Sequence, residues 1–234
     1  MLLYGKNSVL ERLKAAPRSV RQLYLREDFS EPLALALAKK AGLAAKRVPA
    51  HKFAKFRPGE NLQGIVAEVD EFVYADLEDV LEKGKAITPL FLDRVFDPQN
   101  LGAIMRVAAC FGAFSLVIPE HKACQVTETV LKVACGAENY VPVVSTANLT
   151  NALLKAKERG FWAAGTVVDA GQNIAKTELP FPLALVLGSE GEGVRYGVDK
   201  HLDLRLTIPT PGAGLSLNVA MAAAVCCYEV VRQR

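Results

Sequence analysis

Residues Leu183–Gly193 read LALVLGSEGEG: five apolar positions without alternation, then glycines at 188, 191 and 193. A half-buried strand alternates apolar and polar residues. An unbroken apolar run instead fits a strand covered on both faces, as in a parallel sheet packed between helices. The glycine-rich segment is then the loop at the strand's carboxyl end, where ligands of open α/β sheets bind. It is not a phosphate-binding Walker loop, because no Gly-Lys-Ser/Thr follows, and its glycines fall as G-x-x-G-x-G rather than G-x-G-x-x-G. Glu190 and Glu192 would repel a pyrophosphate. The ligand at this point is neutral or cationic, or offers hydroxyls to a carboxylate. Taken alone, the same loop reads equally as an acidic turn.

The pattern around this run predicts an α/β protein. Downstream, the apolar run Leu204–Ile208 enters a loop with Gly212 and Gly214, then a small-residue helix through Glu229 (IPTPGAGLSLNVAMAAAVCCYE from Ile208). Ser216 and Asn218 stand where the helix begins, and both residue types cap free N–H groups. Upstream, strands are expected at Leu90–Val95, Phe114–Ile118, Val141–Val144 and Trp162–Val167, with helices at Ala103–Phe111, Glu128–Val133 and Asn148–Arg159. A smaller β/α series occupies residues 1–75: strands at Leu2–Tyr4, Val20–Leu25, Ala44–Val48 and Gln63–Val69, with helices opening at Ser8 and at Glu31. Ser8-Val9-Leu10-Glu11 has the spacing of a capping box. Polar Asp76–Lys85 predicts the boundary, giving a first domain over 1–75, a linker over 76–88 and a second domain over 89–234.

The net charge of +3 is unevenly placed. Residues 1–75 carry 13 Lys and Arg against 8 Asp and Glu, net +5, and the remainder 15 against 17, net −2. A basic N-terminal third suits a polyanion such as RNA, or simply a solvated surface. Lys52, Lys55 and Arg57 surround Phe53 and Phe56; the rings read as core anchors and the cations as candidate RNA contacts. No apolar run reaches the roughly 18–20 residues that span a bilayer, and the early Glu11 argues against a signal peptide. Five cysteines without a C-x-x-C pair predict reduced packing residues of a cytoplasmic protein. His51, His121 and His201 lack metal-ligand spacing, and no G-x-S-x-G elbow points to hydrolysis.

Three segments are weak singly and specific jointly: Asp97–Arg106 (DPQNLGAIMR), Leu187–Val194 (LGSEGEGV) and Ile208–Asn218 (IPTPGAGLSLN). In this order and spacing they resemble the three motifs of the SpoU/TrmH family of RNA ribose 2′-O-methyltransferases, within the SPOUT superfamily. The start LLYGKNSVLERL and Gln63–Ala67 resemble the appended RNA-binding domain of the RlmB-like subgroup, which is L30e-like. The resemblance implies an α/β domain with a deep trefoil knot, a homodimer, and S-adenosylmethionine bound inside the knot. By matching positions it implies a cofactor pocket at Leu187, Gly188, Gly193, Ile208, Pro209 and Leu217. Catalysis falls to Asn100, Arg106, Glu190, Ser216 and Asn218.

What those residue types can do follows from the reaction, in-line attack of a ribose 2′-hydroxyl on a sulfonium methyl. Positioning and removal of the hydroxyl proton are the help available. Arg106 is the family's proposed base. An arginine stays protonated up to a pKa above about 12, so gripping phosphate and stabilising the forming alkoxide is the more conservative role. Asn100 and Asn218 each donate and accept, suiting ribose positioning; Glu190 suits a ribose or base edge; Ser216 either caps the last helix or touches substrate. The chain departs from the family at Val107, Ala109 and Ala134, beside the motif residues. The expected partner is ribosomal RNA, a guanosine of the large subunit above all, with transfer RNA as the alternative. A catalytically silent ribosome-assembly factor is the rival from another class, and a small-molecule nucleotide-binding enzyme the third.

Overall fold

The computed structural model describes residues 1–82, 86–189, 193–213 and 215–234. It divides into two units, Met1–Val73 with Val126–Tyr140, and Tyr74–Gln125 with Val141–Arg234. In the first, β1 (Leu2–Tyr4), α1 (Lys6–Ala15), β2 (Val20–Arg26), α2 (Pro32–Lys40), β3 (Ala45–Val48), α3 (Ala50–Phe53) and β4 (Ile65–Val69) follow one another. The four strands form one mixed sheet in the order β1-β4-β2-β3. β4 runs antiparallel to both its neighbours, and β2 pairs with β3 in parallel.

The second unit begins with α4 (Leu77–Glu82), β5 (Thr88–Asp93), α5 (Pro98–Phe111) and β6 (Phe114–Pro119). The chain then contributes α6 (Glu128–Ala134) to the first unit. It resumes the second with β7 (Val143–Thr146), α7 (Leu149–Glu158), β8 (Trp162–Thr166), β9 (Gln172–Asn173), β10 (Leu183–Gly188), α8 (Tyr196–Asp199), β11 (Leu204–Thr207) and α9 (Val219–Gln233). The seven strands form a sheet in the order β7-β6-β5-β10-β8-β11-β9, parallel throughout. Every residue of β5 and β6 is buried, and so is β10 up to Leu187. The unbroken apolar run at Leu183 thus marks a central strand covered on both faces.

The packing adds to the local reading in two places. Asp76–Lys85, expected as the boundary between the two domains, carries the short helix α4 in its described part. α4 seats Val80 and Leu81 in the core of the second unit, with Ala75 and Leu77 against it. The expected helix at Glu128 forms, but in the first unit rather than the second. There the Glu128 carboxylate accepts from Leu2 N–H at 2.7 Å, and a Cβ on Gly136 would meet Glu11 Cβ at 2.3 Å. Contacts made at a distance in sequence outweigh the run of the local pattern.

The capping box at Ser8 also fails. α1 starts at Lys6 behind Gly5, without a side-chain cap, and Ser8 is buried with its hydroxyl donating to the Leu131 carbonyl at 3.3 Å. The α5 helix begins five residues before its expected start, because Asp97 caps it by accepting from Gln99 N–H at 2.8 Å and Pro98 fits the first helical position.

Candidate active site

The carboxyl ends of β8, β10 and β11 converge on a cleft of the second unit. Its described lining includes Thr166, Gly188, Ser189, Gly193, Ile208, Ser216, Leu217 and Val219. Three sequence segments distant from one another therefore meet at one place. Ile208, Leu217, Val167 and Ala222 supply apolar wall, and Thr166, Thr210 and Ser216 supply hydroxyls. This mixture suits a ligand with an apolar plane and polar substituents.

Gly188 is needed by space rather than by freedom of turn. A Cβ there would lie 2.1 Å from the Gly193 carbonyl carbon and 2.3 Å from Val194 N. The two sides of the loop are tied by Ser189 and Gly193, which exchange backbone hydrogen bonds of 3.2 and 3.0 Å. Gly193 turns with φ 67°, in the region that favours glycine. Beyond it, the fully buried carboxylate of Asp93 accepts from Arg195 N–H at 2.8 Å and from its Nε at 2.7 Å. Asp93 and Gly188 are register partners across β5 and β10, so this clamp fixes the loop's far end to the central strand.

A second cavity adjoins the cleft, sharing Ser189 and Val219 with it and adding Arg94, Phe96, Asp97 and Asn100. Asn218 caps α9 by accepting from Ala220 N–H at 2.9 Å and donates from Nδ2 to Asn100 Oδ1, also at 2.9 Å. The first and third motif segments are thus joined side chain to side chain.

Of the expected cofactor residues, Gly188, Gly193, Ile208 and Leu217 line the cleft. Leu187 is outside the described lining, its side chain fully buried in the core of β10. Pro209 is exposed and absent from the described lining. Of the expected catalytic residues, Asn100 and Asn218 are brought together and Ser216 lines the cleft. Ser216 is not the helix cap, a role Asn218 holds. Arg106 is exposed on α5 and lies outside the described linings of both cavities. Glu190 lies outside the described residues. Sequence reading passed over Asp93 and Arg195, whose only signal was one acid ending a strand and one cation after a glycine loop.

In the first unit, Lys52 and Lys55 are exposed. Arg57 is not available in the same way, since its guanidinium pairs with Glu128 at 2.9 Å and lies 5.5 Å from the Tyr4 ring centre. Phe53 is buried as expected, and Phe56 is half-buried against Tyr24, ring centres 4.7 Å apart. Lys46 stands 5.8 Å from the Tyr24 ring, a cation the sequence reading did not single out.

Residues 88–228 match the model of the SpoU rRNA Methylase family, and residues 2–75 match that of the RNA 2′-O ribose methyltransferase substrate-binding domain. The chain belongs to the SpoU family. It is 38% identical to the 23S rRNA (guanosine-2′-O-)-methyltransferase RlmB of Pseudomonas putida, over 99% of this chain and 96% of that one. An uncharacterized tRNA/rRNA methyltransferase of Synechocystis is also 38% identical over the whole of this chain, which spans 62% of that protein's length. In fold it resembles the SpoU methyltransferase AviRb of Streptomyces viridochromogenes, crystallised with AdoMet, at TM-score 0.84, 23% identity, and coverage of 100% and 90%.

Proposed function

We propose that this SpoU-family protein methylates a ribose 2′-hydroxyl of RNA, a guanosine of large-subunit ribosomal RNA, using S-adenosylmethionine. The observation that carries the reading is the Asn218–Asn100 hydrogen bond, which joins the wall of the second cavity to the helix start beside the cleft. The cleft's residues fit the cofactor: Gly193 faces open space where a side chain would stand, Gly188 lets the loop lie close against β10, and apolar Ile208 and Leu217 offer contact to an adenine. When bound there, S-adenosylmethionine supplies an electrophilic methyl on a sulfonium.

The protein's own part is placement. Asn100, fixed by Asn218, presents its amide to the acceptor ribose, and Ser216 lies within the cleft to hold a polar group. Arg106 is assigned to the target phosphate and to the charge that grows on the 2′-oxygen as it loses its proton; by the family resemblance it is also the candidate base. Glu190 keeps its assignment to a ribose or base edge on the same resemblance.

Arg106 is exposed on α5 and outside the described linings of both cavities; the exposed apolar residues of α9, which packs on α5, support a homodimer with these two helices at the contact. The two helices pack together, with Phe111 and Tyr228 rings 6.3 Å apart. α9 exposes Met221 (62%), Val225 and Tyr228 (57%) at helical spacing, an apolar stripe that a second copy would cover. The trefoil knot is supported by strand order: the chain places β10 between β5 and β8 and β11 between β8 and β9, then returns as α9 to α5. The mixed sheet of the first unit reads as the L30e-like domain that holds RNA, through Lys52 and Lys55. Among the described residues no helix is long and apolar enough to cross a membrane, and we place the protein in the cytoplasm with its RNA.

Mapping 2′-O-methylation across ribosomal and transfer RNA, with and without the protein, tests the reading. A new methyl on a large-subunit guanosine is expected. A methyl on transfer RNA instead would select the second target class, which the name of the Synechocystis relative includes. Absence of any methyl, with no S-adenosylmethionine binding by calorimetry, would favour a silent assembly factor.

A further inference from the structure

The turn between β5 and α5 presents an aromatic ring to the second cavity. Thr88–Asp93 and Val95 are buried, yet Phe96 is 60% exposed and forms part of the cavity wall. Lone exposed apolar residues are ordinary on protein surfaces. Phe96 differs because the backbone on both sides of it is held. Arg94 turns with φ 62°, a left-handed conformation uncommon for a residue with a side chain. The Val95 carbonyl accepts from Cys124 N–H at 2.8 Å, and the Asp97 carboxylate caps α5. Asp93, behind the turn, is clamped to Arg195. The ring is thus presented by a fixed turn, beside Asn100 and Ser189, one wall away from the cofactor cleft.

We infer that Phe96 is the stacking platform for the base of the nucleotide being methylated, with the second cavity as the seat of that nucleotide. The inference rests on the proposed methyltransferase function. A ribose whose 2′-oxygen reaches the cleft must carry its base into adjoining space, and the cavity that shares Ser189 and Val219 is that space. An aromatic face binds any base by stacking. Asn100, held by the Asn218 amide at 2.9 Å, stands at the same cavity, where a ribose or base edge would come to rest. Phe96 therefore orders the target nucleotide without selecting its identity by hydrogen bonds.

Phe96→Ala, Phe96→Leu and Phe96→Trp test this with a fixed RNA carrying the mapped target. With Ala, kcat/KM for RNA should fall by about tenfold to a hundredfold, the range of one base stack. Leu should recover little and Trp most of it. The dissociation constant for S-adenosylmethionine should stay within about twofold in all three, since Phe96 is not part of the described cofactor lining. Equal kcat/KM for wild type and Phe96→Ala would overturn the platform. Full recovery by Leu would reduce it to apolar filling, and loss of cofactor affinity or of the dimer in Phe96→Ala would assign the ring to the cleft or to the contact between copies. Absence of methyl transfer by the wild type would instead defeat the functional reading on which the platform rests.

Discussion

At the residue scale, Gly188 is the position where the sequence and the site are most tightly coupled. The obstacle to a side chain there is backbone on both counts, Gly193 C at 2.1 Å and Val194 N at 2.3 Å, and backbone tied by two hydrogen bonds does not yield as a flexible side chain would. Gly188→Ala should push the loop away from β10 at a cost of about 1–3 kcal/mol. S-adenosylmethionine affinity should fall more than tenfold, while far-UV circular dichroism stays that of the folded chain. Calorimetry showing wild-type affinity would remove the close approach from the account of cofactor binding. Asn100 and Asn218 show the complementary case: each reads in sequence as a capping residue, and Asn218 is one, but the bond between them belongs to the fold.

At the element scale, α9 does two things with two faces. One buries Ala223, Cys226, Cys227 and Val230. Burial pushes the Cys227 thiol up to about 12 and the Cys226 thiol up as well, so these two are inert packing groups. The packing reading does not extend to Cys110, which is exposed, or to Cys124 and Cys135, which are half-buried. The other face exposes Met221, Val225 and Tyr228. If a second copy covers it, the double change Met221→Glu and Tyr228→Glu should convert dimer to monomer in light scattering at micromolar concentration, because two carboxylates would be taken from water without partners. An unchanged mass would place the contact elsewhere. The segment carrying α6 shows how an element can join another unit. Its Glu138 is buried against Arg12 at 3.2 Å, and burial raises the carboxyl above its ordinary range despite that partner. The charged form of Glu138 is thus held in the first unit at some cost.

At the scale of the whole molecule, charge is divided between the two ends of the chain, and ion pairing decides which cations can meet RNA. Arg57 is committed to Glu128, whereas Lys52 and Lys55 are exposed and form no ion pair among the described residues. Changing both lysines to alanine should weaken RNA binding and reduce the slope of log affinity against log salt by about 1.4–1.8, on the order of two phosphate contacts. Arg57→Ala should chiefly lower the melting temperature. A filter-binding series across salt distinguishes them, and an unchanged slope in the lysine variant would take this surface out of the RNA contact.

The sequence by itself determined the α/β class, most strands to within two residues, and two segments that line the cleft, within Leu187–Val194 and Ile208–Asn218, while Asp97–Arg106 contributes to the adjoining cavity. These follow from local rules: unbroken apolar runs, glycines where backbone must pass closely, and polar residues at helix starts. Only the tertiary structure decided that the Leu187 side chain is core, that Arg57 is paired, that Ser8 faces a carbonyl 123 residues away, and that α6 packs with the first unit. The same holds for the Asp93–Arg195 clamp, made between residues 102 apart. The physical reason is common to all of them. Periodicity reports which faces are apolar and where backbone bends, but the partner of a buried charge or polar group is chosen by the long-range pairing of strands and helices.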